Sequence, residues 1–426
     1  MTRPPSTAAL ALYGAATGLL EPLAPLLLRR RAAAGKEDAA RVGERMGRAS
    51  TPRPDGPLVW LHGVSVGESL SLLPLIAALR ARRPRLNLLV TSGTVTSAQV
   101  LAARLPDGVI HQFAPVDAPG AARRFLDHWR PAAALFVESE LWPNLIGKTA
   151  RRGVRLALVS ARMTDASARG WARAPGAARA LLAAFDVVLP QDDETAARLE
   201  GLGARPAGRL NLKRLTVAPP VDAALVEHLR AGAAGRRIVL AASTHPGEEA
   251  LVVEAFRAAT GDIPAVLIVA PRHPERGPQV AEALAASGLR TARRATGEEL
   301  TVDVDAYVAD TLGEMGALYS AADAVVLGGS LVDGIGGHNP LEAARLGCAM
   351  VAGPFVANAR SLYGELIADC AVIEARDGAA LARHIRGLLR TSAIARRLGD
   401  AAQGFAARQA AELDAAMALI DPLLPA

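Results

Sequence analysis

LVWLHGVSVGESLSLLPLIAAL, residues 58–79, decides the fold. Residues 58–61 are a short apolar run. A turn containing glycine and serine follows at 62–67, and a helix-length stretch comes after it. The same unit then repeats. Apolar runs bounded by turn residues recur at 86–91, 109–113, 132–137, 155–159 and 187–189, with amphipathic helix-length stretches between them. Short, continuously apolar strands alternating with helices predict a parallel sheet covered on both faces, because such strands have no side to show to water.

Over 211–235 the rhythm changes. Pro219-Pro220, a single helix and a turn at 231–235 read as a linker. The alternation restarts at 238–242, 265–270, 306–309, 324–327 and 349–352, and the tail, 379–389 and 401–424, reads as helical. At 426 residues the chain is too long for one ordinary core. The fold class is therefore α/β, with two Rossmann-like, doubly wound domains. The expected boundaries are a membrane-anchor segment at 1–31, an N-terminal domain at 32–215 and a C-terminal domain at 216–426. Ligands of open parallel sheets bind at the carboxyl ends of the strands, so the interdomain cleft is the expected site.

Composition narrows the partners. Hydrophobic residues make up 51% of the chain, which argues against disorder. The net charge of +6 suits anionic partners such as a nucleotide, a phospholipid or a phosphorylated substrate. Nucleic acid is not expected: basic residues are scattered, and aromatics, at 4%, are too scarce for base stacking. The two cysteines, Cys348 and Cys370, lack metal spacing and read as buried thiols in a reducing compartment. Residues 8–28 are almost wholly apolar, interrupted by Glu21-Pro22 and followed by Arg29, Arg30 and Arg31. This pattern predicts an anchor that spans the membrane or lies in its interface, with the main body on the cytoplasmic side. Residues 35–48 read as a short charged helix near headgroups, or as a solvated face.

Polar groups cluster where strands end. Glu68 follows the first strand near a helix N-terminus, where a carboxylate can deprotonate a hydroxyl or simply complement the helix dipole. Glu138 and Glu140 flank Ser139 at another strand end, and buried acids there cost several kcal/mol unless partnered. Trp142 reads as core and Asn144 as a loop hydrogen bonder. In the second half, four strand ends carry Ser243-Thr244-His245, Pro271-Arg272-His273, Asp310-Thr311 and Gly328-Gly329-Ser330. Small residues, exposed N–H groups and an arginine are the parts of a nucleotide pocket. His62, His245, His273 and His338 either act there or merely bond nearby backbone. Asp303-Val304-Asp305 reads as one side of an edge strand, and 191–194 as helix-opening acids, so no metal site is expected at either.

Eight motifs occur in one order: HGVSVGE (62–68), VESELWPNLI (137–146), SARMTDASARGW (160–171), ASTHPGEE (242–249), APRHPERG (270–277), ADTLGE (309–314), GGSL (328–331) and GGHNPLEAA (336–344). Together they resemble the Kdo transferase family, which moves 3-deoxy-manno-octulosonic acid (Kdo) from CMP-Kdo onto the lipid A precursor. The resemblance implies a GT-B fold and inverting, metal-independent transfer to lipid IVA, with no cofactor, at the cytoplasmic face of the inner membrane. It implies that Glu68 is the general base and that Glu138 and Lys213 stabilise the transition state. Pro271, Arg272, Leu312, Gly313, Glu314, Asn339, Pro340, Leu341 and Glu342 would bind CMP. The chain departs from the family pattern at Thr94-Val95-Thr96-Ser97, Pro115-Val116-Asp117, Arg214-Leu215 and the extra residue within 332–335; none of these removes a proposed catalytic group. The competing readings are a UDP-sugar transferase or epimerase, a nicotinamide oxidoreductase and a sugar-nucleotide sensor. The absence of a Gly-x-Gly-x-x-Gly fingerprint after a strand counts against the oxidoreductase.

Overall fold

A computed structural model describes residues 7–215 and 218–425. They form two compact units, one running to Leu215 and taking up the chain again from Ala410, the other ending at Gln409. The C-terminal residues assigned to the second domain from sequence thus belong to the first unit. The reason is hydrophobic: Ala416, Met417, Ile420, Leu423 and Leu424 are buried in a core of that unit.

The first unit holds a six-stranded parallel sheet of β1 (Leu58–His62), β2 (Asn87–Ser92), β3 (Ile110–Phe113), β4 (Ala133–Val137), β5 (Arg155–Ala161) and β6 (Val187–Pro190), in the order β3-β2-β1-β4-β5-β6. Every residue of β1 and β4 is buried, as the unbroken apolar runs require. Alternate residues serve opposite faces. Val59 and Leu61 enter one core while Leu58 and Trp60 enter the other. The order reverses between β1 and β4, so their carboxyl ends splay apart at the topological switch point.

The second sheet contains β7 (Arg237–Thr244), β8 (Ala265–Pro271), β9 (Thr291–Arg293), β10 (Ala306–Val308), β11 (Ala324–Leu327), β12 (Met350–Ala352) and β13 (Val372–Glu374). They are ordered β13-β12-β11-β7-β8-β10-β9, so here the switch point lies between β7 and β11. The edge strands β9 and β13 are three residues each and partly polar, which hides them from a search for apolar runs.

Three expectations are corrected. Residues 35–48 do not form one solvated helix: Glu37 and Glu44 are buried. Arg31 and Arg45 pair with Glu37, while Arg41 and the Phe113 N–H hold Glu44, and these partners offset the cost of burial. Cys348 is buried, but Cys370 is exposed at a positive-φ position just past the helix Arg360–Ala368. Asp303 and Asp305 precede β10, which is not an edge strand; both pair with Arg290.

The N-terminal segment forms the helix Ala8–Leu20, a 3-10 turn Glu21–Leu23 at the Glu-Pro interruption, and the helix Ala24–Ala33. It is long and apolar enough to cross a membrane. One face is bonded to the first unit by polar groups. The Tyr13 hydroxyl donates to Asp117 at 2.9 Å, Asn144 Nδ2 to Thr17 at 2.9 Å, and Arg124 and the Gly120 N–H to Glu21 at 2.8 and 2.7 Å. The other face leaves Leu12, Leu19, Leu20, Leu23, Leu26 and Leu27 exposed.

Candidate active site

At the first switch point, β1 delivers Glu68 and β4 delivers Glu138. Ser65 caps the helix Val66–Arg82, and its hydroxyl accepts from the Glu68 N–H while Glu68 reaches back to the loop. The Glu68 carboxylate accepts from Val64 N–H at 2.6 Å, Ser65 N–H at 3.4 Å and the Ser65 hydroxyl at 3.0 Å. A carboxylate offers about four lone-pair sites, so three donors fix its orientation and leave one for an incoming proton. The helix-capping and catalytic readings of Glu68 are thus compatible.

Glu138 is buried and adopts a φ of +59°, a conformation costing a non-glycine residue about 1–3 kcal/mol. Lys213 Nζ lies 2.6 Å from Glu138 Oε1. Among the described residues Oε1 has no hydrogen-bond partner, so the Lys213 ammonium serves it as counter-charge. Lys213 sits in the 3-10 turn Leu212–Arg214, whose Leu212 N–H donates to Ser160 Oγ at 3.2 Å. Ser160 is itself strained, at φ +50°, where β5 bulges between Val159 and Ala161. Sequence reasoning missed this positioning role. Ser160 opens a quoted motif, but a serine does not advertise a positive φ as glycine does.

Glu140 is a second addition. Burial first, then the nearby negative charge of Glu68, pushes its carboxyl up to about 7, against the lowering effect of the Trp142 indole N–H that it accepts. The paired acids in the sequence were the available signal. Trp142 packs beside the first unit's core and meets the His62 ring edge-on at 5.1 Å between centroids. His62 is fully buried and bonded to the Thr91 hydroxyl at 2.8 Å, a structural role, though through a side chain rather than backbone. Asn144 lies buried in the first turn of the helix Pro143–Arg151 rather than in a loop, and it bonds Thr17 and the Asp117 carbonyl.

At the second switch point, Ala242, Ser243, Arg272, Tyr319, Leu327, Gly328, His338, Asn339 and Glu342 line a cavity of about 170 Å³. That is smaller than the roughly 300–1,000 Å³ of a whole-ligand pocket. Of the expected nucleotide residues it gathers Arg272, Asn339 and Glu342. Pro271 ends β8, Pro340 and Leu341 are buried, and the Leu341 N–H is taken by Asn339 Oδ1 at 3.0 Å. Leu312, Gly313 and Glu314 lie outside the lining; Arg294 grips the Glu314 carboxylate with two 2.8 Å bonds. Burial pushes the Glu342 carboxyl upward while Arg272 opposes it. His245 and His338 bond each other, Nε2 to Nε2 at 2.8 Å, rather than backbone. Among the described residues no cluster of three or more His, Cys, Asp or Glu side chains is arranged to hold a metal.

A glycosyltransferase from Rickettsia africae has the same fold, with a TM-score of 0.56 over 87% of this chain and 99% of that one at 11% identity. Two parallel sheets of this kind define the GT-B class of glycosyltransferases. The family model for 3-deoxy-D-manno-octulosonic-acid transferase (kdotransferase) matches residues 40–214. A 3-deoxy-D-manno-octulosonic acid transferase of Bordetella pertussis is 37% identical over 416 residues, covering 93% of this chain and 96% of that protein. A probable mitochondrial transferase of the same description from Arabidopsis thaliana is 37% identical, covering 80% and 79%. The chain belongs to the Kdo transferase family and is a glycosyltransferase that transfers Kdo.

Proposed function

We propose that the chain transfers Kdo from CMP-Kdo to the lipid A precursor, lipid IVA, with inversion and without a metal. The observation that carries this reading is the pair of carboxylates, Glu68 and Glu138, at the carboxyl ends of the adjacent strands that flank the first switch point. Glu68, held by three donors, takes the proton of the acceptor hydroxyl as the new glycosidic bond forms. Glu138 faces the positive charge that develops on the sugar, and Lys213 holds it in place. In the second unit Arg272 meets the phosphate, whose negative charge grows as the sugar–phosphate bond breaks. Fixed charges aimed at developing charge lower the barrier without reorganisation. Pro271, Leu312, Gly313, Glu314, Asn339, Pro340, Leu341 and Glu342 complete the proposed CMP surroundings.

The N-terminal helices set the location. A bilayer-spanning helix has to give up its polar bonds to a soluble unit, whereas Tyr13, Thr17 and Glu21 are all bonded to theirs. We assign these helices to the membrane interface, leucines down, with Arg29, Arg30 and Arg31 near anionic headgroups of the cytoplasmic leaflet.

The test is an assay of purified protein with CMP-Kdo and a tetraacylated lipid A precursor, with and without EDTA, read by mass spectrometry. Kdo-bearing product in both conditions is expected. Glu68→Ala should lower transfer about 100- to 10,000-fold, the usual worth of a general base, with CMP binding retained. Loss of activity in chelator, or use of a UDP-sugar in place of CMP-Kdo, overturns the reading.

A further inference from the structure

The facing Nε2 atoms of His245 and His338 lie 2.8 Å apart, with the rings stacked at 25°. Two imidazole nitrogens this close need one N–H and one lone pair, so a single proton lies between them. The two residues belong to opposite sides of the second switch point: His245 follows β7, and His338 lies in the loop after β11. His338 is held from both sides. Its carbonyl accepts the Tyr363 hydroxyl at 2.9 Å, and its ring lies against Gly329, where a Cβ would come within 2.8 Å of the ring and where φ is +72°. Its ring also lines the cavity that holds Arg272.

The charged neighbours are mostly basic. On His245 the Glu248 carboxylate acts first, favouring the charged imidazole, against His273, Arg276 and Arg272; Arg272 and His273 act on His338. The nearby carboxylates have hydrogen-bond or ion-pair partners of their own. Glu248 accepts the backbone N–H groups of His245, Gly329 and Leu331 at 2.8, 2.8 and 2.9 Å. Glu249 accepts from Thr244 and Arg276, Glu275 stands beside His273, and Glu342 faces Arg272. Burial, His245 and Arg272 push the His338 imidazole down to about 4, so the empty pair is neutral at pH 7.

We propose that the His245–His338 pair is a proton-gated receptor for the donor's phosphate. An anion beside Arg272 offsets the surrounding positive charge and supplies an acceptor, and the pair then takes up a proton from solvent. The charged pair donates a hydrogen bond to the phosphate. As the sugar C–O bond breaks, its electron pair passes to the phosphate oxygen, the pair hands that oxygen its proton, and it returns to the neutral state. This assignment rests on reading the second unit as the donor site.

The test is calorimetric titration of CMP into the intact protein near pH 7, in two buffers of different ionisation enthalpy, which counts protons taken up per CMP bound. The native protein should take up close to one proton more than His245→Gln or His338→Gln. Its CMP affinity should fall by up to about tenfold per pH unit relative to theirs as pH rises from the pair's pKa in the free protein to its higher pKa in the complex. Comparison with the variants removes the titration of CMP itself. Should a variant fail to fold, imidazole ¹⁵N shifts of the native protein give the same answer, moving to imidazolium values when CMP is added. Equal proton counts, or ¹⁵N shifts that stay neutral while CMP binds, overturn the proton-gated receptor and leave the donor site standing. Failure of CMP to bind the native protein overturns the donor-site reading instead.

Discussion

Glu138 combines burial, a strained φ and a charge, and Lys213 Nζ faces that charge at 2.6 Å. Lys213→Met should cost about 1–3 kcal/mol in chemical denaturation, less than the ~3–5 of a sealed pair because Lys213 is half-exposed. Adding Glu138→Gln should restore most of that stability but no transfer. If the double variant recovers activity, the charge plays no part in the chemistry. Glu140 gives a second prediction at this scale. Ionised above about 7, it places another negative charge near Glu68; below that it is neutral. The rate of transfer should therefore show an inflection near pH 7 that Glu140→Gln removes. An unchanged profile excludes Glu140 from the site.

At the level of elements, the repeated apolar runs were legible because parallel strands buried on both faces have no choice of composition. The N-terminal helices were only half legible. Their apolar content showed in the sequence, but the polar stripe of Tyr13, Thr17 and Glu21 that ties them down depends on Asp117, Asn144, Gly120 and Arg124, about a hundred residues away. Replacing Leu19, Leu23 and Leu26 with serine should weaken sedimentation with anionic vesicles at least about a hundredfold, since each leucine contributes on the order of 1.5 kcal/mol or more when buried. CMP binding should be unaffected. Undiminished vesicle binding means that this face is not the membrane surface.

For the molecule as a whole, acid stability is decided by buried histidines. Burial pushes the imidazoles of His62, His111 and His338 down, to about 3, 4 and 4, with Arg45, Arg41 and His245 the next causes in turn. A depressed histidine stabilises the fold fully above its unfolded value of about 6.5, and that stability is lost as pH falls towards the folded value. Glu140 works in the opposite sense, its contribution being lost as pH rises from about 4.5 to 7. Asp117 and Glu342 are raised in the same sense as Glu140, and His245 and His384 are lowered like the other imidazoles; the lowered histidines outnumber the raised carboxyls, so the thermal midpoint should drop between pH 6.5 and 4. His62→Gln, which can still bond Thr91, should flatten that fall; an equally steep curve places the acid sensitivity elsewhere.

The sequence by itself determined the two α/β sheets, the strand ends that carry polar groups, and the family. These follow from local composition and ordered motifs, and local information is what a sequence displays. Tertiary structure alone decided the Ser160 anchor under Lys213, the upward shift of Glu140, the exposed Cys370, the His245–His338 contact and the return of the C-terminal residues to the first unit. Each depends on groups distant in the chain, or on a backbone angle that residue type does not announce. Charge, burial and proton affinity belong to an environment, and an environment exists only after the chain has folded.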